Sequence, residues 1–331
     1  MAELVRMVRN KWITPPKPTT ESYSGRIVIV TGATAGLGKE AAYKFAALGA
    51  SKVIIAARDL KKGASTKEEL AKRLGRDDQL EVWELDMMSY DSVVAFAQLA
   101  QGLEHVDIAI LNAGTRRSKY HTTDKGWEED LQVNTLSSVL LAVLLLPKLK
   151  QSKSYTGKTP ILQFVNSGLH RSAVVPIEVR QEANILEHYN KRENFKEGSQ
   201  YKYTKVFLMY AANKLASEVS SADVIITSIC PGVVRSDLGR DHYFPGVYIV
   251  AAFLIFLFMK SPSQGANSVL SGTTQGESVH GRFWKDDKIQ PVPLAIAGAE
   301  MKELGSRIWD EIVGTLKKEV PEFSKALDAA L

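Results

Sequence analysis

The sequence predicts an α/β fold, a doubly wound parallel sheet with helices on both faces, and three observations carry that prediction. Short β-branched runs recur along the chain, stretches with apolar residues at helical spacing separate them, and a glycine-rich turn joins the first run to the first helix. Strands separated by helices imply right-handed crossovers and therefore one parallel sheet, buried on both sides.

The elements follow in order. Residues 1–24 read as an irregular arm with one short helical turn. Arg26–Thr31 (RIVIVT) is a continuous β-branched run, as expected of a strand covered on both faces. Gly36–Leu48 reads as a helix and Lys52–Ala57 (KVIIAA) as the second strand. A Lys/Glu-rich helix then runs to about Leu74, and a third strand lies around Leu80–Leu85. Ser89–Leu103 has helical spacing, and Asp107–Leu111 (DIAIL) is the fourth strand. A long helix spans Asp124–Leu146, where Pro147 is expected to end or kink it because proline lacks an amide hydrogen. Ile161–Val165 makes the fifth strand, Ser199–Ser220 a helix, Val224–Ile229 the sixth strand and Arg282–Trp284 a short seventh. No linker separates two cores. Residues 25–331 are therefore expected to form a single domain, with an insert near 168–198 and an apolar lid near 237–260.

Composition narrows the function classes. At 331 residues and 45% hydrophobic content, the chain can bury a full core without disulfides or metals. Its single cysteine, Cys230, excludes an intrachain disulfide, fits a reducing compartment and reads as a small core residue. Much of the +5 net charge comes from Arg6, Arg9, Lys11 and Lys17, and the remaining charge is mixed along helices. No basic stripe marks a nucleic-acid reader. The histidines show no HxxH spacing and there is no CxxC pair, so no metal site is expected.

The N-terminus does not read as a signal peptide, because Arg6 and Arg9 interrupt its apolar residues and Pro15-Pro16-Lys17-Pro18 follows. The most apolar stretch, Val247–Met259, falls short of the ~20 residues that span a bilayer. It reads as a buried helix or an apolar lid. Leu4, Val5, Val8 and Trp12 beside the arm's cations allow only weak, peripheral membrane contact. A mainly soluble, cytoplasmic protein is expected, and a homodimer is compatible with the sequence.

The turn Thr31-Gly32-Ala33-Thr34-Ala35-Gly36-Leu37-Gly38 follows the first strand and opens the first helix. Glycines there permit a tight turn and let backbone amides approach a pyrophosphate at a helix N-terminus. A P-loop competes and fails on residue identity. Lys39 follows Gly38, but Ala33 occupies the required earlier glycine position, and Glu40 replaces the magnesium-binding Ser/Thr. A dinucleotide is the better ligand.

Further residues fall in a set order. Asp86 follows the third strand, Asn112-Ala113-Gly114 the fourth, and Asn134 lies in the long helix. Ser167 follows the fifth strand, Tyr201-x-x-x-Lys205 lies in the next helix, and Pro231-Gly232 with Ser236 follows the sixth strand. Together with the TGxxxGxG spacing, this series resembles the short-chain dehydrogenase/reductase family over Tyr23 to Trp284. The arm and the long Ser–Tyr interval are similar to the retinol-dehydrogenase-like branch common in fungal specialised metabolism.

The resemblance implies a single-domain Rossmann fold and an NADP(H)-dependent oxidoreductase that moves hydride to or from a carbonyl carbon. It implies cofactor contacts from Gly32, Thr34, Ala35, Gly36, Leu37 and Gly38, and from Asp86 and Met87 near the adenine. It adds the backbone of Asn112, Ala113 and Gly114, the side chains of Tyr201 and Lys205, and Pro231, Gly232, Val234 and Ser236 near the nicotinamide. The end of the second strand bears on cofactor choice. An NAD enzyme usually places a carboxylate there, whereas this chain has Ala57 followed by Arg58. A guanidinium accepts a 2′-phosphate in a planar fork, so NADP(H) is expected, although the neighbouring Asp59 weakens the preference. Lys61 and Lys62 read as solvated charges.

Tyr201 and Lys205 project from one helix face. Lowering a tyrosine pKa by about three units takes roughly 4 kcal/mol, which the lysine and an oxidised nicotinamide together would supply. Tyr201 is then the general acid in reduction and the base in oxidation. Tyr203 competes, but Phe207 stands where its lysine would be. Ser167 is expected to hold the substrate oxygen beside Tyr201 and, by resemblance, Asn134 a water that links Lys205 to solvent. The apolar segment after Ser236 and the long insert point to a bulky apolar carbonyl or alcohol substrate. Two other classes fit the same fold: a non-catalytic NADP(H)-binding regulator, and a redox-neutral epimerase or isomerase.

Overall fold

The computed structural model describes residues 2–235, 238 and 257–331. After α1 (Ala2–Val8) come β1 (Ile27–Thr31), α2 (Gly36–Ala47), β2 (Lys52–Ala57), α3 (Leu60–Leu74) and β3 (Leu80–Glu84). Next are α4 (Tyr90–Gln101), β4 (Ile108–Leu111), α5 (Glu129–Thr156) and β5 (Ile161–Val165). Two short helices, α6 (Ile177–Arg180) and α7 (Ile185–Asn190), precede α8 (Gln200–Glu218) and β6 (Ile225–Cys230). The last elements are α9 (Pro262–Gly272), β7 (Phe283–Lys285), β8 (Lys288–Ile289), α10 (Gly298–Glu319) and α11 (Pro321–Ala330).

The strands lie in the order β3-β2-β1-β4-β5-β6-β7-β8. All neighbours are parallel except β7 and β8, which form an antiparallel edge hairpin. That hairpin departs from the all-parallel expectation. Its tight turn is made by Asp286 and Asp287, which take left-handed φ values of 53° and 52°, the conformation a two-residue hairpin demands.

Successive strand residues point to opposite faces, and the two cores sort accordingly. In β1, Val28 and Val30 join the core beneath α2, α3 and α9, while Ile29 joins the one beneath α4, α5 and α8. β2 divides the same way, with Val53 and Ile55 on one face and Ile54 and Ala56 on the other. Burial on both faces is why these strands read as unbroken apolar runs.

Three stretches differ from expectation. The long helix starts at Glu129, not Asp124, because Glu128 accepts the amides of Asp130 (3.1 Å) and Leu131 (2.9 Å) and so caps it. It also passes through Pro147 to Thr156. Packing explains this: Leu140–Leu146 are almost entirely buried, and tertiary contact outweighs the one backbone bond that proline removes. Among the described residues this is the helix long and apolar enough to cross a membrane, yet 94% of its most apolar window is buried.

The arm is more ordered than expected. α1 continues into a π-helical turn, Arg9–Ile13, and the arm is tied down by Trp12 Nε1 on the Leu257 carbonyl (3.0 Å) and Asn267 Nδ2 on that of Pro16 (3.0 Å). The insert begins at the cleft, where Gly168, Leu169 and Arg171 form part of the wall, and its later residues dock on α10. Arg307 donates to the carbonyls of Arg180 and Glu182, and Glu311 accepts the Leu186 amide (2.8 Å).

Candidate active site

The chain runs outward from β1 to β3 and then returns to β4, so a crevice opens beyond the ends of β1 and β4, where such folds bind ligands. A cleft of about 1230 Å³ occupies this place, reaching from Arg58 to Ser167.

The glycine turn forms one wall. Gly32 has φ 63°, and a Cβ there would sit 3.0 Å from Ala113 Cα. A Cβ on Gly38 would come within 2.5 Å of the Gly32 carbonyl oxygen and 2.6 Å of Asn112 Nδ2. Asn112 itself fastens the turn, donating Nδ2 to the Thr31 carbonyl (2.8 Å) and more weakly to that of Gly32 (3.4 Å). Thr31 Oγ1 accepts the amides of Asn112 (2.9 Å) and Ala113 (2.8 Å). The backbone is thus held where no side chain intrudes, and Thr34, Ala35, Gly36, Leu37, Ala113 and Gly114 complete the wall. A pyrophosphate fits this cradle.

At the end of β2, Ala57 is buried and Arg58 lines the cleft. The carboxylate of Asp59 is committed to capping α3, accepting the amides of Lys61 (2.9 Å) and Lys62 (3.1 Å). Asp86 and Met87 also line the cleft, and Asp86 Oδ1 accepts the Met88 amide (2.9 Å). Beyond β6, Pro231, Gly232 and Val234 line the opposite side. Ser236 and most of the expected lid lie outside the described residues; Leu238, Phe258 and Met259 line the cleft at that segment's two ends.

Ser167, Tyr201 and Lys205 come together at the inner end. Ser167 follows β5 and caps the next turn, its Oγ accepting the Leu169 amide at 3.2 Å. The Tyr201 hydroxyl faces Ser167, and Lys205 Nζ lies 5.8 Å from the Tyr201 ring centre and donates to the Val165 carbonyl (3.1 Å). Among the protein's own groups, burial outweighs every attraction and pushes the Tyr201 hydroxyl well above its ordinary value, while Ser167 and Arg116 pull the other way. Burial also lowers Lys205 to about 8. A phenol brought down by the lysine is therefore not what these residues produce by themselves. They hold Tyr201 protonated.

Asn134 does not line the cleft. Its Nδ2 donates to the Thr115 carbonyl (2.9 Å) and Thr204 Oγ1 (3.1 Å), while its Oδ1 accepts the Thr115 amide (2.9 Å). The carboxamide is spent pinning the Asn112–Thr115 segment to α8. Only the backbone of the π-helical turn Gln132–Leu136 is left for the water-holding role.

Several cleft residues escaped the sequence reading. Arg6, Met7 and Asn10 bring the arm to the cleft's rim. Arg116 faces the Tyr201 ring, its guanidinium 5.9 Å from the centre. Lys260 is buried and donates to the Pro231 carbonyl (3.2 Å) and Asp286 (3.4 Å). Lys285 is 9% exposed, with Nζ 3.2 Å from where a Cβ on Gly168 would lie. Cys230, buried as expected, also lines the cleft, and its Sγ accepts the amides of Gly168 (3.2 Å) and Gly232 (3.4 Å). The Arg116-Arg117 pair, one residue beyond Asn112-Ala113-Gly114, was the one available signal.

Comparison with known proteins agrees with this geometry. The family model described as short chain dehydrogenase matches residues 26–158. The short-chain dehydrogenase/reductase ffsI of Aspergillus flavipes is 36% identical over 317 residues, covering 95% of this chain and 92% of the relative. The short-chain dehydrogenase/reductase phmF of Phaeosphaeria nodorum is 37% identical over 319 residues, covering 95% and 93%. Among solved structures, the Pseudomonas aeruginosa RhlG/NADP active-site complex is similar with a TM-score of 0.62 at 23% identity, over 81% of this chain and 97% of that one. The short-chain dehydrogenase from Sphingobium yanoikuyae in complex with NADPH gives a TM-score of 0.57 at 19% identity, over 90% and 96%. These two share the fold.

Proposed function

The chain belongs to the short-chain dehydrogenase/reductase family, and from that premise we propose that it is an NADP(H)-dependent reductase of a bulky carbonyl compound in specialised metabolism, acting reversibly on the matching alcohol. One observation carries the reading. Ser167, the Tyr201 hydroxyl and Lys205, one helical turn on, meet at the inner end of a cleft whose outer wall is the glycine turn.

The residues divide the work. Gly32–Gly38 present backbone amides to the pyrophosphate, and Asp86 and Met87 border the adenine. Arg58 takes the 2′-phosphate, while the neighbouring Asp59 carboxylate is turned to the α3 amides of Lys61 and Lys62. When bound, NADPH supplies the hydride that reaches the carbonyl carbon. Ser167 and Tyr201 hold the carbonyl oxygen, and Tyr201, protonated at neutral pH, gives that oxygen its proton as the alcohol forms. Lys205, brought to about 8, is suited to pass a proton back toward Tyr201. Asn134 positions the Asn112–Thr115 floor, and its backbone turn holds the water between Lys205 and solvent. Leu169, Val233, Leu238, Phe258 and Met259 give the substrate end its apolar lining.

The test is NADPH oxidation against a panel of polycyclic and small polar ketones. Turnover favouring the polycyclic members is expected. Conversion of a substrate with no net cofactor oxidation would replace this reading with an epimerase or isomerase, and turnover confined to the small polar ketones would remove the bulky substrate.

A further inference from the structure

Most cations lining the cleft have protein partners. Arg117 pairs with Glu129, Lys260 with Asp286, and Arg171 donates to the Pro291 carbonyl. Arg116 does not. Its Nε is buried and no hydrogen-bond partner meets it among the described residues, and no carboxylate lies within ion-pair distance. The Tyr201 ring at 5.9 Å gives a weak cation–π contact, which leaves the buried Nε–H without an acceptor. Lys285, nearly buried beside Gly168, likewise has no carboxylate partner among the described residues. Two cations with no carboxylate partner among the described residues thus flank Ser167 and Tyr201. Half-desolvated charge without a counter-ion is costly, and such sites persist where a ligand supplies the missing charge.

We infer that Arg116 anchors an anionic oxygen of the substrate, a carboxylate or an ionised enol or phenol, close to the carbonyl that Tyr201 protonates, with Lys285 adding to the positive field. The cofactor's phosphates are not the natural partner, because the glycine turn and Arg58 already provide for them at the other end of the cleft. Nor is Arg116 merely a tuner of Tyr201: it does ease ionisation of that hydroxyl, but burial still dominates. A planar fork matches a carboxylate or a conjugated oxyanion edge-on. The inference rests on the reductase reading and changes its substrate from wholly apolar to amphiphilic, an apolar body carrying one acidic oxygen.

The experiment uses two matched pairs: an aromatic keto acid with its methyl ester, and an ortho-hydroxyaryl ketone with its methyl ether. Binding to the NADPH-loaded full chain and KM against kcat are measured for wild type, Arg116→Gln and Arg116→Lys. Wild type should favour the ionisable member of at least one pair by roughly tenfold or more, what one charge-assisted hydrogen bond provides. Arg116→Gln should collapse that ratio through KM, and Arg116→Lys should restore part of it. The acid pair should discriminate across the pH range, and the phenol pair only as its hydroxyl ionises. Equal behaviour of both members in wild type, or an unchanged ratio in Arg116→Gln, overturns the inference. If no probe consumes NADPH, the reductase reading fails, and the binding ratios alone decide Arg116.

Discussion

Replacing Gly38 with alanine tests the cofactor cradle at its tightest point. The added methyl would lie 2.5 Å from the Gly32 carbonyl oxygen and 2.6 Å from Asn112 Nδ2. Comfortable non-bonded separations are about 3.5–4.0 Å, so one neighbour must give by about an ångström. The carbonyl is backbone, and Asn112 is held by its bond to Thr31, so neither moves freely. Displacing Asn112 forfeits up to two hydrogen bonds, each worth about 0.5–1.5 kcal/mol, while displacing the turn misaligns the amides meant for phosphate. The fold should survive with a loss of about 1–3 kcal/mol, the usual range for overpacking. NADPH affinity should fall roughly tenfold to a hundredfold, or about 1.4–2.7 kcal/mol. Titration of protein fluorescence with NADPH, beside a urea melt, reads both quantities. A Gly38→Ala protein that binds NADPH as wild type does would show that this turn is not the phosphate site.

Three further outcomes are expected. Arg58→Ala should weaken NADPH binding roughly tenfold or more while leaving NADH binding alone, the signature of one lost charged hydrogen bond; equal effects on both cofactors would free Arg58 of the 2′-phosphate. Tyr201→Phe should keep NADPH binding and lower turnover by about 10²–10⁴-fold, and substantial residual turnover would assign the proton to another group. His170, buried against Ser167 and Phe283, is held down to about 4 by burial, from an ordinary 6.5. Between these values the unfolded chain binds a proton that the native protein refuses, so stability should fall as pH drops from 6.5 to 4, by at most about 3 kcal/mol. Glu128 and Asp130, raised by burial to about 7 and 6, work in the opposite direction, so the comparison is with His170→Gln, whose acid limb should be flatter in urea melts. Parallel curves would refute the assignment.

What the sequence made legible was local. Strands buried on both faces announce themselves as apolar runs, and the expected strand at Lys52–Ala57 coincides with β2. The Tyr201–Lys205 pair and the glycine turn were legible because backbone geometry fixes their spacing. Contacts between distant segments were not. Nothing near Pro147 says that its helix will be buried along its length, and nothing in the 168–198 stretch says that it will dock on α10. Asn134 carries the right residue type, but its carboxamide faces Thr115 and Thr204, a fact of tertiary packing. The direction of the Tyr201 shift likewise depends on burial, which spacing along a helix does not report.

The placement of the single cysteine has a practical consequence. Cys230 borders the substrate end of the cleft, and the chain has no other sulfhydryl. A small thiol-directed reagent therefore has one attachment point, reached slowly and only through the cleft because Cys230 is otherwise buried, so its reaction rate reports on who occupies the neighbouring space. Candidate substrates can be ranked by the protection they give, before any product is identified, and a compound that both fits the cleft and carries a mild electrophile becomes an irreversible inhibitor with a single adduct to look for by mass.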